Sequence, residues 1–321
     1  HLAPMAALSP PADALLMSVR ISVAAITAVG LLVALPSIIL LQSSPRAAPS
    51  AEWERPAPCM SRRWDSKLSS ENLQDVVLRD VFFPSLCAGT ALEMGANDGR
   101  VGSPTLNFGR SGWRTVLIEA DPIVFHTLRA NRPPPEITIN AVVSDEARTE
   151  TWVRFDNRYL SGIKRFLNME KLKPMLADGR LKVLDELPLE GLPLQTLLAQ
   201  HGVPHVDLFS LDVEGAELSV LRTLPWAAAA PSFGVFMIEN GNATDIREFL
   251  ASQGVEYVGS LLWDAFYVSR GYLRQTSLRR LRRRFRQRAS EPQLRDRLCK
   301  CLAKVASLSR MGRDACRSFC K

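Results

Sequence analysis

Between residues 71 and 269, short apolar runs rich in β-branched and aromatic residues alternate with helix-like segments, and this alternation constrains the chain more than any other feature. Strands separated by helices pair in parallel and bury both faces of one sheet, which predicts an α/β fold. The expected strands are residues 90–94, 115–119, 137–143, 206–211, 233–238, 257–262 and 265–268. Only Trp263 and Asp264 separate the last two, too few residues for a crossover helix, so they are expected to close as an antiparallel hairpin. The expectation is therefore a doubly wound, mostly parallel sheet of seven strands. An insert over residues 157–190, with a helix-like run at 164–176, is too long for a simple connection and reads as a lid.

The flanks differ from this core. Residues 21–41 carry no charge and have the length of about 20 apolar residues that a membrane-spanning helix needs. A cleaved signal sequence has an apolar stretch of only about 7–15 residues, so the segment reads as a retained single-pass anchor. It follows a flank of residues 1–20 and precedes a Pro/Ser/Ala-rich stem at 42–70. Arg46, Arg55, Arg62 and Arg63 after the span outnumber Arg20 before it, which favours a cytosolic domain. The short N-terminal flank and the stem instead resemble a Golgi-type enzyme of the secretory pathway, so the two signals leave orientation open.

Net charge is +7, but residues 270–321 alone hold 17 Lys and Arg against three acids, so the basic character belongs to the tail and the rest is acidic. Nine arginines between Arg270 and Arg288, with Leu278, Leu281 and Phe285, spell a basic amphipathic helix. Acidic lipid headgroups are its expected partner, and nucleic acid is not expected on an anchored chain. Cys59, Cys87, Cys299, Cys301, Cys316 and Cys320 suit disulfides or free thiols better than zinc, because the spacing of the last four fits poorly with zinc motifs. Asn242-Ala243-Thr244 is a formal glycosylation acceptor, meaningful only in a lumenal domain.

Three strand ends carry the candidate chemistry. Ala91-Leu92-Glu93-Met94-Gly95-Ala96-Asn97-Asp98-Gly99 ends an apolar strand in an acid and a glycine turn, where backbone can approach a ligand closely. The next strand ends at Glu119, and a carboxylate at that tip can accept hydrogen bonds from both hydroxyls of a ribose. A dinucleotide fold would show the same acid, but it also needs a three-glycine phosphate turn, and Ala96 and Asn97 replace that pattern. The third end is Val206-Asp207-Leu208-Phe209-Ser210-Leu211-Asp212-Val213-Glu214-Gly215-Ala216-Glu217-Leu218, which places Asp212 and Glu214 beside the switch point of the sheet. Glu217 reads as a favourable charge at a helix start. Glu239 and Asn240 end the fifth strand on the same side, whereas His201 and His205 precede the fourth strand and fall at the opposite edge.

The GANDG turn, the VLIEADP strand end with its following helix and RANRP, and SLDVEGAEL together resemble the FkbM methyltransferase family over about residues 88–268. The resemblance implies a Rossmann-like class I methyltransferase sheet with S-adenosylmethionine as cofactor. By it, Glu93, Gly95, Asn97 and Gly99 would line the methionine end, Glu119 would hold the ribose, and Ser144 and Asp145 would flank the adenine. Asp212, Glu214 and Glu239 are the candidate catalytic acids, for methylation of a hydroxyl on a carbohydrate or another small molecule. No metal is demanded by their spacing. The insert would then lie on the acceptor side. The stretch from Leu92 to Pro122 is closer still to a subgroup that includes Star-like membrane proteins, some of them associated with trafficking, which implies a non-enzymatic adaptor as the alternative.

Overall fold

The computed structural model describes residues 69–84, 88–227 and 232–292, with 294, 296, 298 and 299. The expected anchor at 21–41, the stem, and Cys59, Cys87, Cys301, Cys316 and Cys320 lie outside the described residues. Cys299 is disulfide-bonded. Among the described residues, no helix is long and apolar enough to cross a membrane.

A short helix α1 (Gln74–Val77) runs into a π-helical turn over Leu78–Phe82. Strand β1 (Thr90–Met94), helix α2 (Leu106–Arg110), β2 (Arg114–Glu119), α3 (Pro122–Asn131) and β3 (Ile137–Asn140) follow. The chain then leaves the main sheet through β4 (Val142–Val143), β5 (Arg148–Phe155), β6 (Gly162–Ile163), α4 (Met169–Ala177) and β7 (Val183–Leu192). It returns with α5 (Leu194–Gln200), β8 (His205–Leu211), α6 (Glu217–Arg222), β9 (Ser232–Glu239), α7 (Thr244–Ser252), β10 (Glu256–Leu261) and β11 (Asp264–Val268), and ends in α8 (Arg270–Leu273) and α9 (Leu278–Ala289).

The main sheet has seven strands in the order β10-β11-β9-β8-β1-β2-β3. Its β9, β8, β1, β2 and β3 pair in parallel; β11 pairs antiparallel with β10, as the two-residue link between them requires, and also antiparallel with β9. Alternate side chains of each strand enter opposite layers. Leu92, Phe209 and Phe236 pack with α5, α6 and α7. Ala91, Leu208 and Val235 pack with α1, the π-helical turn, Phe108 of α2 and α9. Both faces are therefore dry, which is why these strands read as continuous apolar runs.

Two expectations are corrected. The third strand is not continuous from 137 to 143: Ile137–Asn140 pairs with β2, whereas Val142–Val143 pairs with β7 in a second, four-stranded sheet of order β4-β7-β5-β6. The insert is also larger than residues 157–190 and is built on strands, since its main hairpin, β5 with β7, begins at Arg148. Half of β7 is exposed and Asp185, Glu186, Pro188 and Glu190 interrupt its apolar residues, so it does not read as a buried strand, and pairing with β5 holds it extended.

Helix α9 uses its apolar stripe internally. Leu281 and Phe285 are buried, and the Phe285 ring occupies the space that a Cβ on Gly259 of β10 would need. Burying each such side chain contributes roughly 1.5–3 kcal/mol. The folded unit therefore extends past residue 269, and what α9 leaves to solvent is its arginine face, with Arg279, Arg280, Arg283 and Arg286 exposed.

Candidate active site

Strands β1, β2, β8 and β9 are parallel, so their C-terminal tips open on one side and enclose a cavity of about 530 Å³. Pockets of about 300–1,000 Å³ hold small-molecule ligands and cofactors. Glu93, Gly95 and Asn97 line it from β1 and its turn, Glu119 from β2, Asp212 and Glu214 from β8, and Glu239 from β9.

The β1 turn is built by close approach. Gly95 has φ +80°, and a Cβ there would overlap the backbone carbonyl of Asp212, so the β1 turn rests directly on the tip of β8. Asn97, also left-handed at φ 49°, donates its N–H to Glu119 Oε2 at 2.8 Å, and Asp121 donates its N–H to Oε1 at 2.8 Å. Burial pushes the Glu119 carboxyl up to about 7 even against those donors. Glu93 is buried beneath the turn, where it accepts from the Ser103 hydroxyl at 2.7 Å and from Thr105. Burial raises its pKa, and the Arg132 guanidinium opposes the rise. Arg132, itself fully buried, donates to the Gly99 carbonyl at 2.9 Å and so braces the turn from below.

Three of the expected cofactor residues sit elsewhere. Gly99 has φ +70°, and a Cβ there would come within 2.5 Å of Leu128 Cδ1, so its lack of a side chain serves the packing of α3 under the turn. Ser144 donates to the Glu146 carbonyl at 2.6 Å, and Asp145 pairs with Arg148 and Arg165 at 2.6 and 2.8 Å. Both follow the point at which the chain switches sheets, which turns them away from the cavity and leaves Ala141, Val142 and Val143 as part of its apolar lining.

The other end of the cavity is acidic. Besides Asp212, Glu214 and Glu239 it is lined by Glu71 and Gln74 from the N-terminal segment and by Asp264 at the start of β11, none of which the sequence marked as part of a site. Asp212 is open to solvent from the cavity. The surrounding protein, with Glu239 and Glu214 beside it, holds its carboxyl well above the usual carboxylate range. Burial and Glu239 push Glu214 up to about 8, with Lys171 opposing. Burial takes Asp264 up to about 7, although Gln74 Nε2 donates to it at 2.8 Å. Carboxylate oxygens of Asp212, Glu217 and Glu239 lie within 4.8 Å of one another, close enough to hold a cation. Glu217 also accepts the N–H groups of Val213 and Gly215 at 3.2 and 3.1 Å, a helix-start role. His205 bonds Ser232 and Asp207 at the far edge of the sheet.

Backbone strain is concentrated in the same place. Among the described residues the non-glycine positions with positive φ are Leu73, Asn97, Glu214, Asn240 and Leu262. Asn97, Glu214 and Asn240 line the cavity, and the other two adjoin its Gln74 and Trp263. Each such residue costs roughly 1–3 kcal/mol, and strain of this kind clusters where function requires it.

These acids imply a pH-dependent stability. Glu119, Glu214 and Asp264 release their protons at about 7, 8 and 7 in the fold, against ordinary values of 4.5, 4.5 and 3.8. The native state therefore binds more protons than the unfolded chain across that window, and stability falls as pH rises through it. Melting followed by circular dichroism is expected to be highest near pH 5 and to decline toward pH 8, with a shallower decline in Glu214→Gln. A melting temperature that climbs over the same range would contradict the buried acid cluster.

Among curated proteins, none matches the chain. The family described as Methyltransferase FkbM domain matches residues 93–257, just over half of the chain and the part that supplies β1 to β9 with most of the cavity. With the strand order and the acids at the strand tips, that match places the protein: the chain belongs to the FkbM methyltransferase family.

Proposed function

We propose that the chain is an S-adenosylmethionine-dependent O-methyltransferase, tethered to a membrane by residues 21–41, that acts on a hydroxyl of a carbohydrate or another small molecule. The observation that carries this reading is that Glu93, Glu119 and Asp212, acids from three neighbouring strands, border one cavity. The residues fit the cofactor. Glu119 presents a carboxyl suited to ribose hydroxyls, the Gly95–Asn97 backbone gives close approach at the methionine end, and acids rather than a phosphate cradle suit sulfonium and ammonium charges. When bound, S-adenosylmethionine supplies an electrophilic methyl group.

The protein's own part is to position the acceptor and manage its proton. Orientation at near-attack geometry can supply roughly 7–11 kcal/mol, and a general base about 10²–10⁴-fold. Asp212 is the proposed base or orienting group, because it borders the cavity at the tip of β8 beside Glu214 and Glu239, and desolvation by the surrounding protein together with those two acids raises its pKa and so strengthens its carboxylate as a base.

The test is equilibrium dialysis of the full chain with labelled S-adenosylmethionine, followed by methyl-transfer assays on a panel of sugars, lipids and metabolites. Asp212→Asn is expected to bind cofactor within a few-fold of wild type while transfer falls by about 10²–10⁴-fold. If the wild-type chain binds no cofactor, the adaptor reading takes its place. In the cytosolic orientation the exposed arginines of α9 are the proposed contact for acidic lipid headgroups, through charge alone because the apolar stripe is buried.

A further inference from the structure

The second sheet does more than wall one side of the cavity, because β5, β6 and the turns after them touch the loops at three separate strand tips. Arg154 Nε donates to Asp121 Oδ2 at 2.7 Å, in the loop after β2, while its Nη1 donates to Asp185 at 2.8 Å. Arg158 Nη2 donates to Asp98 Oδ2 at 2.8 Å, in the turn after β1. Gly162 and the Phe166 carbonyl pack against Glu214 and Gly215, after β8, and a Cβ on Gly215 would come within 2.5 Å of that carbonyl oxygen. Between these ties, Asn157, Tyr159 and Ser161 line the cavity.

The two ion pairs differ in kind. In Arg154–Asp121 the side chains are 13% and 4% exposed, and Asp121 is further fixed by accepting the N–H groups of Ile123 and Val124 at the start of α3. In Arg158–Asp98 they are 37% and 10% exposed, so water and salt reach the arginine. Asp98 stays ionised in that pairing: burial alone would raise its pKa, but the N–H groups of Arg100 and Val101 and the guanidinium outweigh it. Exposed pairs are screened by salt and break readily, whereas buried ones persist.

We propose that Arg158 is a positioning residue whose pair with Asp98 latches the β5–β6 turn across the cofactor end of the cavity, with Arg154–Asp121 as the fixed side on which the turn swings. The proposal rests on the reading that this cavity takes S-adenosylmethionine. The latch opens to admit the ligand and slows its escape once closed. Asp98 itself shapes the β1 turn through Oδ1, which bonds Arg100 and Val101 at 2.9 Å each, so the informative variants are at Arg158.

The experiment is stopped-flow dissociation of S-adenosylmethionine from the full chain, with melting of the ligand-free chain alongside. Arg158→Gln is expected to speed dissociation about threefold to fivefold, with the melting temperature unchanged, and Arg158→Lys to recover most of the wild-type rate. Raising NaCl should speed release from wild type and leave the glutamine variant unaffected. Equal release rates for wild type and Arg158→Gln would overturn the latch alone, as would faster release accompanied by a melting loss of several degrees, which marks a merely structural tie. A wild-type chain that binds no S-adenosylmethionine would overturn the cofactor reading and the latch with it.

Discussion

A Gly95→Ala chain is expected to lose S-adenosylmethionine binding and to melt far below the wild type. Two costs coincide there. The backbone sits at φ +80°, which penalises any side chain by roughly 1–3 kcal/mol. The added Cβ would also overlap the Asp212 carbonyl, a backbone atom that moves only if β1 and β8 separate at the centre of the sheet. Overpacking of this kind costs roughly 1–3 kcal/mol when the core can adjust, and two adjacent central strands adjust little. Against a total stability of about 5–15 kcal/mol, the sum is a large share. Gly179→Ala is the control, since Gly179 has φ +74° but nothing within 4 Å of its Cβ position. Circular dichroism melts of the two variants separate the steric cost from the backbone cost; equal melting temperatures would mean that the strand contact is looser than described.

Glu119→Gln is expected to weaken S-adenosylmethionine binding by about 100-fold or more, because hydrogen bonds to a charged group are worth about 1.5–3 kcal/mol each and at least two are lost or reversed. One carboxylate oxygen accepts from the Asn97 N–H and the other from the Asp121 N–H, so the carboxylate ties the loops after β1 and β2 together while facing the cavity. A glutamine must turn its NH₂ toward one of those N–H donors. The same carboxyl sets a pH dependence. Held up to about 7, Glu119 is protonated in mildly acidic solution and becomes a full acceptor only as pH rises through that value. Wild-type affinity measured by isothermal titration calorimetry should therefore increase from pH 5.5 to 8.5, and the glutamine variant should show no such rise. Matching affinities for the two chains at pH 8.5 would remove Glu119 from the ribose site.

The parts of this fold that were legible in the sequence share a physical cause. β1, β2, β8, β9 and the β10–β11 hairpin begin and end within one residue of the runs seen in the sequence, because strands buried on both faces are uninterrupted apolar stretches that must stop where a glycine, an acid or a turn residue appears. The strand tips put Glu93, Glu119, Asp212, Glu214 and Glu239 on one side for the same reason, since parallel strands end together. The second sheet gave no such signal. β7 is half exposed and β5 alternates threonine and charged residues with Trp152, Val153 and Phe155, so neither is a continuous apolar run, and they hold each other by cross-strand pairing over residues far apart in the chain.

The amino-acid sequence by itself determined the parallel sheet, the acids at its tips and the basic, arginine-rich tail, all written in local periodicity and in residues next to one another. Only the tertiary structure decided that Glu71, Gln74 and Asp264 join the acid end, that Ser144 and Asp145 turn away, and that Arg154 and Arg158 pair with Asp121 and Asp98 in the loops after β2 and β1. Those outcomes depend on close approach between segments tens to more than a hundred residues apart, where desolvation and steric fit, rather than any local pattern, set which side chains meet.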